Sequence, residues 1–191
     1  EEFQKFLECV ADKPISYYAF EMLYWTGIRE GELLALTPAD FNFEKKTLRI
    51  NKSYQRLEGK DVITDPKTPK SNRTIVMPDF LAVEMEDFIS SLYGIRDDDR
   101  IFTISKSYLH HEMDRGAKLA GVKRIRIHGL RHSHISLLIN LGFSALAIGE
   151  RVGHEAVDIT YHYAHLFPTV QTDMAAQLET EREALVNVRK E

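Results

Sequence analysis

The sequence predicts an α+β domain, mostly helical with a small three-stranded antiparallel sheet. Two observations predict it. Apolar residues recur at helical spacing near both ends, whereas Thr47-Leu48-Arg49-Ile50, Asp61-Val62-Ile63-Thr64 and Thr74-Ile75-Val76 look like short strands. No internal repeat, low-complexity stretch or long Gly/Ser linker divides the 191 residues, which favours one compact unit. A hydrophobic fraction of 43% and a charged fraction of 28% are ordinary for a globular protein, and no apolar run is long enough to span a bilayer.

The elements follow in order. Phe3, Phe6, Leu7 and Val10 mark a first helix, which Pro14 interrupts. Ile15 to Thr26 is a second, with Gly27 at its C-terminal end. Glu30 to Leu36 is a short third helix closed by Pro38. The three strands then form an antiparallel meander through the linkers Leu57-Glu58-Gly59 and Pro66 to Asn72. Helices resume at Pro78, with Leu81, Met85, Phe88 and Ile89 on one face. Ser105 to Ala120 and His128 to Leu141 are each stopped by a glycine, and Ser144 caps Ala145 to Arg151. A last helix runs from about Thr169 to Val188, with Met174, Leu178, Leu185 and Val188 on one stripe.

The net charge of −4 argues against a general nucleic-acid coat protein. The average conceals a split. Between Lys45 and Arg73 the basic residues face only Glu58, Asp61 and Asp65, and between Arg115 and Arg131 they face no acid. Two local patches could grip a polyanion while the rest of the surface stays acidic; two solvated basic faces would look the same. The single cysteine, Cys9, cannot form an internal disulfide and fits a reducing cytoplasm. The chain opens without Met and without a secretory pattern, so a fragment of a longer protein is expected.

Six residues stand in short motifs spread along the chain. They are Arg29 in Thr26-Gly27-Ile28-Arg29-Glu30-Gly31-Glu32-Leu33, Lys67 in Lys67-Thr68-Pro69-Lys70-Ser71-Asn72-Arg73, His128 and Arg131 in His128-Gly129-Leu130-Arg131-His132, His154 in Val152-Gly153-His154, and Tyr163 in Tyr163-Ala164-His165. Taken singly, each is an ordinary surface or packing residue. Together they suit phosphodiester chemistry. Guanidinium groups match two phosphate oxygens in a fork, so Arg29 and Arg131 are candidates for a clamp. His128 and Arg131 are three apart and share a helix face. Imidazoles handle protons near neutrality. A tyrosine, with a pKa of ~10, needs a base and nearby positive charge before it attacks. Tyr161 competes with Tyr163, but residues two apart on a helix do not share a face.

The motifs, their order and their spacing resemble the catalytic domain of tyrosine recombinases, the phage integrase family, from about Phe20 to Leu166. Val152 stands where Leu is common, and Gly129 sits inside the histidine-arginine motif; neither removes a functional group. The resemblance implies the tyrosine recombinase catalytic fold and a site-specific DNA recombinase that cleaves and rejoins double-stranded DNA through a 3′-phosphotyrosyl link, with no cofactor, metal or ATP. It implies that Arg29 and Arg131 hold the scissile phosphate and that Tyr163, nine residues after His154, is the nucleophile. His128 becomes the acid or base partner of Tyr163, and His154 a hydrogen-bond donor to phosphate. Lys67, with Lys70 as runner-up, protonates the leaving 5′ oxygen; Glu32 supports the arginine pocket; His132, His134 and His165 are left structural. It further implies residues 1–191 as an integrase catalytic domain without its N-terminal DNA-binding domains, residues 169–191 as a helix packed locally or docked on a neighbouring protomer, four protomers on two duplexes, and a cytoplasmic, nucleoid-associated setting in the integration or excision of a mobile element. A type IB topoisomerase and a DNA-binding module without chemistry remain alternatives. A metal hydrolase is a third: His154-Glu155-Ala156-Val157-Asp158 looks like a zinc helix motif but ends in Asp, and His110-His111 and His162/His165 lack a matching carboxylate cluster.

Overall fold

The computed structural model describes residues 1–65, 71–154, 156–166, 175 and 178–180. Helices α1 (Glu2–Glu8), α2 (Pro14–Thr26) and α3 (Glu30–Leu33) open the chain, and a 3-10 turn at Pro38–Asp40 leads into the strands. Pro14 does not merely interrupt; it occupies the first turn of α2, where its missing N–H costs nothing. Helix α3 is a single turn, shorter than expected, because Leu34 to Leu36 bury themselves in irregular backbone ahead of Pro38.

The sheet corrects the expected meander. A three-stranded antiparallel sheet exists, but its order is β1 (Phe41–Asn42), β2 (Thr47–Ile50), β5 (Arg73–Val76). The expected middle strand instead belongs to a separate hairpin, β3 (Ser53–Leu57) with β4 (Lys60–Thr64). The reason lies in the turn. Glu58 and Gly59 both have positive φ, 49° and 80°, the geometry of a tight two-residue hairpin loop, and it folds β4 back on the residues just before it. Strand β2 then pairs with β5, which sets Leu48 opposite Ile75, both buried.

Helices α4 (Asp79–Ser91), α5 (Lys106–Ala120), α6 (Ile127–Asn140), α7 (Ala145–Val152) and α8 (Ala156–Tyr163) follow, and a 3-10 turn at Ala164–Leu166 closes the described run. The Ser105 and Ser144 hydroxyls accept hydrogen bonds from the first-turn amides of Tyr108 and Ala147, as capping predicts. Gly116 lets α1 lie against α5: a Cβ there would stand 2.5 Å from the Phe6 ring.

Two apolar clusters hold these elements. The large one runs from Phe6 to Leu130 and joins α1 to α5, the sheet and the start of α6. The small one contains Ile135, Ile139, Ile148, Val152, Ile159 and Tyr163, from α6, α7 and α8. Helix α6 crosses both, so the motif His128 to His132 stands where they meet. Among the described residues, no helix is long and apolar enough to cross a membrane. Of the expected C-terminal stripe, Leu178 is described and exposed; Met174, Leu185 and Val188 lie outside the described residues.

Candidate active site

Four helix ends build the site. Gly27 stops α2 with φ of +67°, a conformation that glycine adopts without strain, and a Cβ there would also meet the His134 ring at 2.5 Å. The turn places the Gly27 carbonyl against α6, where it accepts a 2.6 Å hydrogen bond from Arg131 Nη1. Gly153 stops α7 in the same way, and the carbonyl before it, that of Val152, accepts from Arg131 Nη2 at 2.5 Å. Arg131 is therefore held between the C-terminal ends of two helices, whose partial negative charge suits a cation. It is only 1% exposed, and its Nε has no partner among the described residues. Burial, and then the charge of Arg29, push its pKa down to about 9, which leaves it protonated at neutral pH.

Arg29 stands at the start of α3. Its backbone N–H and its Nη1 both donate to Glu32, at 2.8 and 2.9 Å, and Nη2 reaches the Gly153 carbonyl at 3.4 Å. Buried Glu32 also receives Arg73 through a two-pronged pair at 3.1 and 2.9 Å. Burial alone would raise the Glu32 pKa, but the hydrogen bonds and charge of Arg73, then Arg29, outweigh it and hold the carboxyl below its usual range. Arg73 further donates to the carbonyls of Arg151 and Ser71, at 2.8 and 3.0 Å. One carboxylate thus orders two guanidinium groups and ties α3 to the start of β5, and Arg73 carries the tie on to the end of α7.

Arg29, His128 and His154 line one groove of about 1090 Å³, together with Lys52, Arg56 and Lys106. Desolvation, then the charge of Arg131 and Arg29, lower the His154 pKa to about 4. The His128 pKa is also lowered, first by desolvation and then by His132, Arg131 and Arg29. Both rings are neutral at pH 7, so each can donate a hydrogen bond from one nitrogen and offer a lone pair at the other.

Tyr163 is buried, at 9% exposure, whereas Tyr161 is 83% exposed. Two residues on one helix thus point apart, and Tyr163 is the one turned inward. Its hydroxyl is hydrogen-bonded to His132 Nδ1, not to His128. Burial raises the phenol pKa and Arg131 opposes the rise. The structure lines one groove with Arg29, His128 and His154; buried Arg131 lies within electrostatic reach of all three and of Tyr163, whose hydroxyl is bonded to His132. Lys67 and Lys70 lie outside the described residues.

Sequence reasoning left His132 structural and passed over Arg73. A signal for His132 was present: it stands four residues after His128, on the same helix face. The rings do meet, edge to face, with centroids 4.8 Å apart. Arg73 closes the Lys67 motif in the sequence, but its role was not legible there, because its partner Glu32 is 41 residues away. His134 keeps its structural reading: it is buried and accepts a hydrogen bond from Arg151 Nε at 3.1 Å. His165 is exposed.

A mostly helical domain with a small antiparallel sheet, carrying clustered arginines and imidazoles beside an inward tyrosine, defines a class of fold and site that comparison can test. Residues 1–169 match the model of the phage integrase family, and the chain belongs to that family. The ICEBs1 integrase of Bacillus subtilis strain 168 is 32% identical over 194 residues, covering 94% of this chain and 53% of that protein. Among solved structures, the Tn1549 transposon integrase in complex with a circular intermediate DNA has a TM-score of 0.74 at 22% identity, covering 94% of this chain and 63% of that one. The catalytic domain of bacteriophage HP1 integrase has a TM-score of 0.63 at 20% identity, covering 92% and 90%. These likenesses establish the tyrosine recombinase catalytic fold. The chain spans about half the length of the curated relatives it matches.

Proposed function

We propose that this chain is the catalytic part of a site-specific recombinase that cuts and rejoins double-stranded DNA, in the integration or excision of a mobile element or prophage. The observation that supports it most directly is the grouping of Arg29, His128 and His154 on one groove, with Arg131 buried within electrostatic reach of them and Tyr163 turned inward on α8. A phosphate in that groove meets cations whose positions are already set. The Arg131 Nε–H has no partner among the described residues, and an anion nearby would offset the cost of its burial. Arg29, aligned by Glu32, supplies the second guanidinium. Neutral His154 donates a hydrogen bond to a non-bridging oxygen.

Tyr163 Oη then attacks phosphorus and gives its proton to an imidazole of α6, His128 in the motif reading; the bond to the 5′ oxygen breaks, and that oxygen takes a proton from Lys67. The 3′-phosphotyrosyl link keeps the bond energy, so rejoining needs neither metal nor ATP. The 5′ hydroxyl of a partner strand attacks the link, and four protomers on two duplexes complete the exchange. The segment 169–191 packs locally or docks on a neighbour. The basic residues between Lys45 and Arg73 and between Arg115 and Arg131 hold the DNA backbone, fixing register more than sequence.

Covalent trapping tests this reading. A library of nicked duplexes of randomised sequence lets the short strand diffuse away after cleavage. The expected outcome is a protein–DNA adduct that survives denaturation and chelator and disappears in Tyr163→Phe. An adduct that persists in Tyr163→Phe would show another nucleophile, and loss with chelator would show metal chemistry.

A further inference from the structure

The hydroxyl of Tyr163 has its hydrogen bond with His132, a residue that none of the six motif positions includes. The two rings are 5.9 Å apart between centroids, and His132 packs edge to face on His128, which lines the groove. We propose that His132 is a catalytic residue, whose Nδ1 takes the phenol proton of Tyr163 as Oη attacks phosphorus and returns it when the phenolate leaves.

The inference rests on the recombinase reading and moves the Tyr163 proton from His128, where the motif resemblance puts it, to the ring the hydroxyl is bonded to. In the cleavage step the Oη–H bond breaks and Nδ1–H forms; Oη–P forms and P–O5′ breaks; the 5′ oxygen gains a proton from a donor on its own side. An in-line displacement puts nucleophile and leaving group on opposite faces of phosphorus. One imidazole cannot serve both ends of the same step. The motif reading gives the leaving oxygen to Lys67, and of the two imidazoles on α6 it is His132, not His128, that is bonded to the attacking one. Rejoining reverses each transfer, so no proton, oxidant or metal is consumed.

The surroundings of His132 fit a proton acceptor. From α6 it faces His128 and Arg131, and from α8 His162 and Tyr163. Desolvation, and then the charges of Arg131 and His162, lower its pKa. It is therefore neutral at pH 7, and with its proton on Nε2 the Nδ1 lone pair faces the phenol. Burial raises the phenol pKa, so attack at neutral pH requires a base in contact. His132 supplies that contact before substrate arrives.

A DNA sequence recovered by trapping serves as the probe. The rate of adduct formation is measured against pH for the wild type and for His132→Asn, whose side-chain oxygen can accept the same hydrogen bond but not hold the proton. The expected result is a rate about 100-fold or more slower, with unchanged DNA affinity, still climbing with hydroxide where the wild type has levelled off. A 5′-bridging phosphorothioate, whose thiolate leaves without a proton, should leave His132→Asn slow. The proposal is overturned if His132→Asn stays within about threefold of the wild type with the same pH profile. It is equally overturned if the variant is faster, because the contact then restrains the nucleophile, or if the thiolate substrate restores its rate, because His132 then serves the leaving group. Absence of any adduct with wild type rejects the parent reading; an adduct with an unaffected His132→Asn rejects this inference alone.

Discussion

Arg131 and Glu32 sit at the junction of α2, α3, α6, α7 and β5, tied by hydrogen bonds to carbonyls and guanidiniums from segments far apart in sequence. Tyr163 sits on a helix of eight residues whose packing is a small apolar cluster and whose hydroxyl has one hydrogen bond. The arginine side is ordered by charge, and the Tyr163 side by a few aliphatic contacts. Directional bonds in a buried setting fix guanidinium groups before substrate arrives, which is where preorganisation lowers a barrier. A side chain on a lightly packed element, as Tyr163 is, can shift at lower cost, because few buried contacts must break.

The largest effect should come from the charged side. Glu32→Ala leaves Arg29 and Arg73 without their shared buried carboxylate, and should lower unfolding free energy by ~3–5 kcal/mol in urea titrations. If the loss stays under about 1 kcal/mol, the pair behaves as a surface ion pair and the contrast between the two sides fails.

Ile159→Ala empties part of the small cluster and should cost ~2–4 kcal/mol. It should also slow adduct formation while leaving DNA affinity unchanged, because the arginine side does not depend on α8. Equal losses in binding and cleavage would mean that the two sides are one cooperative unit.

Acid should separate them next. Buried His134 has its pKa lowered from an ordinary 6.5 to about 3, chiefly by burial. The unfolded chain binds that proton first, so stability falls as pH drops below 6.5, at up to ~1.4 kcal/mol per pH unit. Glu32 has a depressed pKa, so its contribution is full above 4.5 and is lost as pH falls through the folded value. Unfolding curves should therefore steepen in two stages. His134→Gln should flatten the first and Glu32→Gln the second. A single transition insensitive to both substitutions would contradict the assignment.

The smallest effect tests the cap of α7. Ser144→Ala removes the acceptor for the Ala147 amide and should cost ~1 kcal/mol with cleavage nearly unchanged. A large cleavage defect would show that α7 positions the site more tightly than its cap suggests.

Much of the fold was legible because helices announce themselves locally. Gly27, Gly121 and Ser144 act on the residues beside them, so the ends of α2 and α5 and the start of α7 followed from the chain alone. The meander was misread because strand partners are chosen across the chain. Ser53 to Leu57 is largely polar and joins the sheet pattern only once the Glu58-Gly59 turn brings β4 against it. The same distinction governs the site. The motif residues could be picked out by type and spacing, and His128 and Arg131 by helical period.

By itself, the sequence determined the class of fold, the family motifs and the identity of the chemical groups, since each depends on residue type and short-range spacing. Only the tertiary structure decided that Glu32 serves Arg29 and Arg73 at once, that Arg131 is clasped by the carbonyls of Gly27 and Val152, and that Tyr163 bonds His132 rather than His128. Those choices depend on which helix ends meet, and that is settled by how the two apolar clusters pack against the shared helix α6.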